Sequence, residues 1–341
     1  MRKSSTALTI VAVATALLAF KPAAASAQDF FAGKQISIIV GSAPGGGYDL
    51  LARLTARHMG KHIPGNPVFI VQNVPAAGSM VAANQLANVS PRDGTTIGLM
   101  QRGVLLAPIT TPGAVRYNVS SFRWIGSLAS ETGVTLAYGS APHQTAKDLF
   151  EQELIIGGVP NVDPETTARL YNALLGTKFR IVMGYNGTTA VGLAMERGEV
   201  QGIADWSWSS LKVQRPAWIK DGSVRILMQG ALERDKELPD VPNALDFVKD
   251  GTDRKALELF FTQKTVARPL LTPPEVPMER VNTLRAAFMA LDKDDLFKEE
   301  ARKSSLDLSL LSGEAVDRVI TLIANATPDV KERLAAAMKA Q

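Results

Sequence analysis

The residues of this chain that could do chemistry are spaced for holding a ligand rather than for breaking one. Four Gly-, Pro- and small-polar-rich segments each follow a short apolar run: Pro44–Asp49, Pro75–Ser79, Gly157–Thr166 and Gly184–Thr188. Where such a segment turns from a strand into a helix, the helix start presents unpaired backbone N–H groups and a partial positive charge. Glycine lets a carboxylate or phosphate come close to that backbone. Candidate contacts are Gly46, Gly47, Tyr48 and Asp49 in the first segment, Ala77, Gly78 and Ser79 in the second, Gly158, Asn161 and Thr166 in the third, and Tyr185 and Asn186 in the fourth. Gly46 is expected to bring its backbone against the ligand and to need a positive φ. Asp49 reads equally as a carboxylate in the first helical turn, where it is favoured electrostatically. Two further candidates follow apolar runs. Arg102 offers a bidentate carboxylate partner, or is a surface arginine. Asp205-Trp206 could wall a pocket, or place the indole in the core.

Catalytic alternatives lack their residues. With no Cys there is no thiolate chemistry, zinc–thiolate site or disulfide. Only three His are present, and no G-x-S-x-G occurs. His58 and His62 are i, i+4 but lack the intervening Glu of a zinc helix, and read as a helix surface. Pro44-Gly45-Gly46-Gly47-Tyr48-Asp49 lacks the Gly-Lys-Ser/Thr of a P-loop, and Leu50 stands where a dinucleotide fingerprint needs its third Gly. No metal or cofactor is expected.

The elements that must position these loops are legible. Strands are expected at Ile36–Val40, Val68–Val71, Thr95–Met100, Leu154–Ile156, Phe179–Met183, Val200–Ala204 and Val224–Met228. Helices follow the loops; Leu50, Leu51, Leu54 and His58 make one stripe, and Gly176 caps another helix. Repeated strand–loop–helix order argues for an α/β protein with right-handed crossovers and parallel strands. Ligands of such sheets sit beyond the carboxyl ends of the strands. The tail differs: an irregular, Pro-rich stretch from Pro269 to Pro277 precedes helices from Glu279, near Asp294–Lys303 and near Ser312–Ala326.

The first 27 of 341 residues read as an export signal: Arg2 and Lys3, an apolar Ala7–Phe20, then Ala25-Ser26-Ala27. Cleavage after Ala27 and a periplasmic location are expected. Without Arg2, Lys3 and Lys21, 34 basic residues face 33 acidic ones, so the basicity of the whole chain is no sign of nucleic-acid binding.

The order of motifs resembles the Bug-type periplasmic receptors of tripartite tricarboxylate transporters. The resemblance runs from Ile38 through Pro44-Gly45-Gly46-Gly47-x-Asp49, Val71-x-Asn73-x-Pro75-x-Ala77-Gly78 and Pro91-x-Asp93-Gly94-Thr95 to Gly184-Tyr185-Asn186-Gly187 and Leu238-Pro239-Asp240-Val241-Pro242. It implies a two-lobed periplasmic-binding-protein fold, each lobe a mostly parallel sheet flanked by helices, with the ligand between lobes and no catalysis. It implies that Pro44–Asp49 and Gly157–Thr166 hold a ligand carboxylate through backbone N–H groups and water. The chain departs from the family pattern at Pro160 and Pro164, which remove donors, and at Val74 and Ala76. The expected organisation is a signal at 1–27, lobe one at 28–136 plus 261–341 and lobe two at 137–260, with hinges near Val134–Ala137 and Leu259–Val266. The expected function is capture of a small organic acid for the large and small membrane subunits of a transporter. Sensing for a sensor kinase and, further off, secreted hydrolysis are the rival readings.

Overall fold

The computed structural model describes residues 30–339. The expected export signal and its cleavage site lie outside the described residues. Among those described, no helix is long and apolar enough to cross a membrane.

Two sheets form. The first takes β1 (Gln35–Val40), β2 (Val68–Asn73), β3 (Thr96–Leu99), β4 (Arg123–Ser127), β10 (Pro269–Thr272) and β11 (Leu311–Ser312), in the order β11-β4-β10-β3-β1-β2. The second takes β5 (Gly133–Tyr138), β6 (Leu154–Gly158), β7 (Phe179–Met183), β8 (Gly202–Ser207) and β9 (Val224–Gly230), in the order β7-β6-β8-β5-β9. All seven expected strands are present. Both sheets are mixed. β1 runs parallel to β2 and β3, and β6 parallel to β7 and β8, whereas β10, β11, β5 and β9 pair antiparallel. The strands that precede the Gly-rich loops are thus the parallel ones.

The differences have local causes. Pro269–Thr272 is no irregular stretch but a fully buried strand between β3 and β4. Its proline stands at the first position, where the missing N–H costs least. Gly133–Tyr138 pairs along its length with β8 and β9, so the chain crosses between sheets at residues 128–132, ahead of the boundary expected at 136. The return crossing runs through a 3-10 turn at Gln263–Val266 into β10.

Helices α1 (Gly47–His58), α2 (Met80–Asn88), α3 (Asp163–Leu175) and α4 (Thr188–Glu196) follow the four loops. The carboxy-terminal block is α5 (Gly251–Thr262), α6 (Met278–Ala290), α7 (Asp295–Lys303), α8 (Gly313–Ala324) and α9 (Pro328–Lys339). α9, not anticipated from the sequence, packs on both α5 and α3. The Arg333 guanidinium there donates to Asp253 and to the Ala173 carbonyl. One apolar cluster accordingly runs from Ala82 and Leu86 through Leu154 and Leu170 to Phe260, Val316 and Leu334. The terminal helices therefore cover both sheets.

His58 and His62 sit where α1 meets α7. His58 Nε2 lies 2.7 Å from Glu300 and His62 Nε2 2.9 Å from Asp294, with Lys61 Nζ 2.6 Å from Asp294. Asp294 also caps α7, accepting from the Leu296 and Phe297 N–H groups. Burial works to raise its pKa, but the hydrogen bonds from Lys61, His62 and Phe297 outweigh it and hold the carboxyl well below the usual carboxylate range. A depressed carboxyl contributes stability above its unfolded pKa that disappears as pH falls through the folded value. Asp294→Ala should lower stability by about 1–2 kcal/mol at neutral pH, the loss of a cap and its partners. In paired thermal melts the gap to the parent should begin to narrow as pH falls below about 4 and keep narrowing with further acidification.

Candidate functional site

The four loops converge on one cavity of about 770 Å³ between the sheets. None of the helices that start there is capped by a side chain. The N-cap residues of α1, α3 and α4 are Gly46, Val162 and Gly187, and none makes a side-chain cap hydrogen bond; α2, likewise uncapped at Ser79, starts behind the cavity wall. α5, α7 and α8, which start elsewhere, are capped by Asp250, Asp294 and Ser312. α6, which also starts elsewhere, with Pro277 as its N-cap, has no side-chain cap either, so uncapped starts are shared by the cleft helices without being confined to them.

The first loop is held from below. The Gly45 N–H and the Arg53 and Asn73 side chains all donate to Asp49, which is 2% exposed. Burial pushes the Asp49 carboxyl up, but these three donors more than offset it, and it stays ionised. Asp49 is therefore a structural staple and not a cleft wall. Gly45, not Gly46, takes the positive φ, at 78°. Gly46 is extended at φ −82°, and a Cβ placed on it would meet only the Ala43 carbonyl oxygen, at 3.7 Å. Gly46, Gly47 and Tyr48 line the cavity.

Ala77 and Gly78 also line it. Ser79 does not: it is fully buried, donates to the Gly41 carbonyl at 2.7 Å and accepts from the Gln101 N–H at 2.9 Å, tying the second loop to β1 and β3. In the third loop Asn161 faces the cavity. Gly158 ends β6 and serves packing, since a Cβ there would lie 2.6 Å from Ile181 and Met183. Thr166 lines a smaller neighbouring hollow, its hydroxyl on the Val162 carbonyl. Tyr185 and Asn186 line the main cavity from the fourth loop. Asp205 and Trp206 line its floor, but the Trp206 ring is fully buried, edge-on to Trp218 at 5.9 Å.

Arg102 is in the cleft but already engaged. Its guanidinium pairs with Asp163 and lies 3.8 Å from Asp205. The Arg102 backbone N–H donates to the Tyr48 hydroxyl, which donates in turn to the Ala267 carbonyl. Burial opposes its charge, yet Asp163, Tyr48, Asp205 and Glu131 together keep it positive. Burial pushes the Asp163 carboxyl above its ordinary value; Arg102 opposes that and Asp205 adds to it. Asp205 receives Lys264 Nζ at 2.5 Å and the Thr167 hydroxyl at 2.9 Å. Arg268 stacks on the Tyr48 ring at 4.2 Å and reaches Glu131 at 2.8 Å and Ser210 at 3.2 Å.

Asp163, Glu131, Lys264 and Arg268 escaped the sequence reading. Lys264 and Arg268 carried a usable signal, a lone charge inside or beside the apolar run Val266-Ala267-Arg268-Pro269-Leu270-Leu271. None of the three His lines the cleft. Among the described residues no group of His, Asp and Glu is placed to hold a metal ion.

The loops of the two lobes touch. A Cβ on Gly78, whose φ is +61°, would lie 2.5 Å from the Asn161 carbonyl oxygen.

Two α/β lobes with a polar cleft at facing helix starts define a bilobal solute-binding protein. Residues 51–326 match the model of the tripartite tricarboxylate transporter family receptor, and the chain belongs to that family. A Cupriavidus necator protein described as the UPF0065 protein in gbd 5'region is 27% identical over 246 residues, 68% of this chain and 70% of that relative. The fold is similar to the solved structure of the periplasmic binding protein BugD (TM-score 0.69, 20% identity, 89% of this chain and 97% of that one). It is also similar to MatC from Rhodopseudomonas palustris with bound malate (TM-score 0.64, 20% identity, 90% and 99%).

Gly78→Ala should hold the lobes apart. In small-angle scattering its radius of gyration should exceed the parent's, while Gly176→Ala should leave it unchanged. Gly176 has φ +81° with nothing within 4 Å of an added Cβ, so it controls for left-handed strain without a clash.

Proposed function

We propose that this protein is a periplasmic receptor that captures a small organic anion through a carboxylate and presents it to the large and small membrane subunits of a tripartite transporter. The observation that carries the anion is the set of three uncapped helix starts, those of α1, α3 and α4, on one cavity that the Ala77-Gly78 turn also lines. Each exposed helix end favours an anion by about 0.3–1 kcal/mol, and by up to about 2 when partly buried. Converging ends hold a carboxylate without a dedicated lysine. The receptor family and the malate bound to MatC support the same reading.

Capture proceeds by ordering rather than chemistry. The carboxylate replaces water at the Gly46–Tyr48 backbone, the second lobe approaches through the Asn161 loop, and contact with both lobes stabilises the closed arrangement.

A thermal-shift screen of mono-, di- and tricarboxylates should find acids that raise the melting midpoint, because a bound ligand stabilises by mass action. The amide of the best acid should bind at least tenfold more weakly in calorimetric titration. Equal affinity for acid and amide rejects the anion site.

Gly46→Val tests the loop itself. The extended φ admits valine, so melting should change little while the side chain occupies the cleft. Loss of two charge-assisted hydrogen bonds of about 1.5–3 kcal/mol each weakens binding by roughly a hundredfold or more.

A further inference from the structure

We propose that Asp205 Oδ1 accepts a hydrogen bond from the ligand, so that the ligand is a carboxylic acid bearing a hydroxyl or ammonium group rather than an unsubstituted one. The inference rests on the carboxylate reading above and names a finer class for the same site.

Asp205 lines the cleft floor and is 2% exposed. Its Oδ2 is fully engaged by Lys264 at 2.5 Å and Thr167 at 2.9 Å. Its Oδ1 is buried with no hydrogen-bond partner, and Arg102 Nη2 at 3.8 Å is beyond hydrogen-bonding reach. A buried carboxylate oxygen left bare costs free energy that a donor at the right place recovers. The carboxylate cannot swing away. A Cβ on Gly133 would lie 2.3 Å from Oδ1 and 2.5 Å from Oδ2, so the bare Cα is packed directly against the group.

The charge balance points the same way. The two cations that line the cleft, Arg102 and Arg268, are already matched by Asp163 and Glu131, and Asp205 is matched by Lys264. One ligand carboxylate is served by helix starts. A second anionic group near the floor would meet Asp163 and Asp205 with no cation to spare. A hydroxyl or ammonium group there meets an acceptor that lacks a donor.

The site also dictates what Asp205→Asn does. Lys264 and Thr167 donate to the Oδ2 position, so the amide must turn its oxygen toward them. That puts its NH₂ at the Oδ1 position, and an acceptor becomes a donor.

The test uses matched acids titrated calorimetrically into the full-length mature protein: propionate, lactate and alanine; succinate, malate and aspartate; glutarate, 2-hydroxyglutarate and glutamate. In the best-bound set the hydroxy or amino acid should bind at least tenfold tighter than its unsubstituted counterpart. Which of the two leads distinguishes a hydroxyl from an ammonium donor. In Asp205→Asn the preference for an amino acid should fall to within threefold, because an ammonium cannot accept from the new NH₂, whereas a hydroxy acid, whose oxygen can accept, should keep a smaller preference than in the parent; the affinity for the unsubstituted acid should be kept or improved. The preference is a ratio measured on one folded sample, so reduced stability does not mimic the result. If the variant does not fold, the parent ratio alone decides. Equal binding of substituted and unsubstituted acids by the parent, or an equal loss of both in the variant, overturns the role of Asp205 and leaves the carboxylate reading standing. Binding of no acid in any set overturns both.

Discussion

A buried aspartate that must be neutralised organises the middle of this molecule. Asp205 sits within β8 with Lys264, from the return crossing, on one oxygen and Arg102, from the first lobe, near the other. Taking a carboxylate and an ammonium out of water costs several kcal/mol each, and their attraction recovers that only if both stay in register. The pair therefore fixes where the 3-10 turn at Gln263–Val266 lies against the second sheet, and so where β10 enters the first. Arg102 then meets Asp163 at the start of α3, and Arg268, four residues beyond Lys264, meets Glu131 on the other crossing. Both crossings and both lobes are joined by ion pairs that lose their compensation if the segments shift.

The same loops face a second constraint. A helix that starts in a closed pocket would normally satisfy its first N–H groups with a side chain. α1, α3 and α4 do not, and their first-turn acids are used otherwise: Asp49 holds the Gly45 N–H from below and Asp163 is drawn to Arg102. Uncapped ends and a balanced set of side-chain charges are the features on which the proposed carboxylate site rests.

The parallel halves of the fold were legible because their strands are short β-branched runs ending in Gly-rich turns, as in Ile36–Val40 and Leu154–Ile156. β4, β5 and β10 were not. Arg123-Trp124-Ile125-Gly126-Ser127 has no clean alternation, and Pro269 suggests a loop until its place at the strand start is seen. The loops of the cleft were legible for the same reason as the strands, yet individual roles inside them were not. Ser79 and Asp49 have the chemistry of ligand contacts but are spent on backbone atoms of their own lobe. The ion-pair network was illegible because it joins residues far apart in the chain, 59 positions for Asp205 and Lys264 and 137 for Glu131 and Arg268, whose partnership only the fold creates.

The placement of α9 bears on when this chain can fold. The first sheet draws on residues near both ends, and the last helix closes an apolar cluster shared with α3 and α5. No contiguous stretch holds a complete lobe one. A chain made from its amino terminus thus reaches residue 328 with Leu170 and Phe260 still lacking Leu334 against the shared core. Until α9 is made, the core that it shares with α3 and α5 stays incompletely packed.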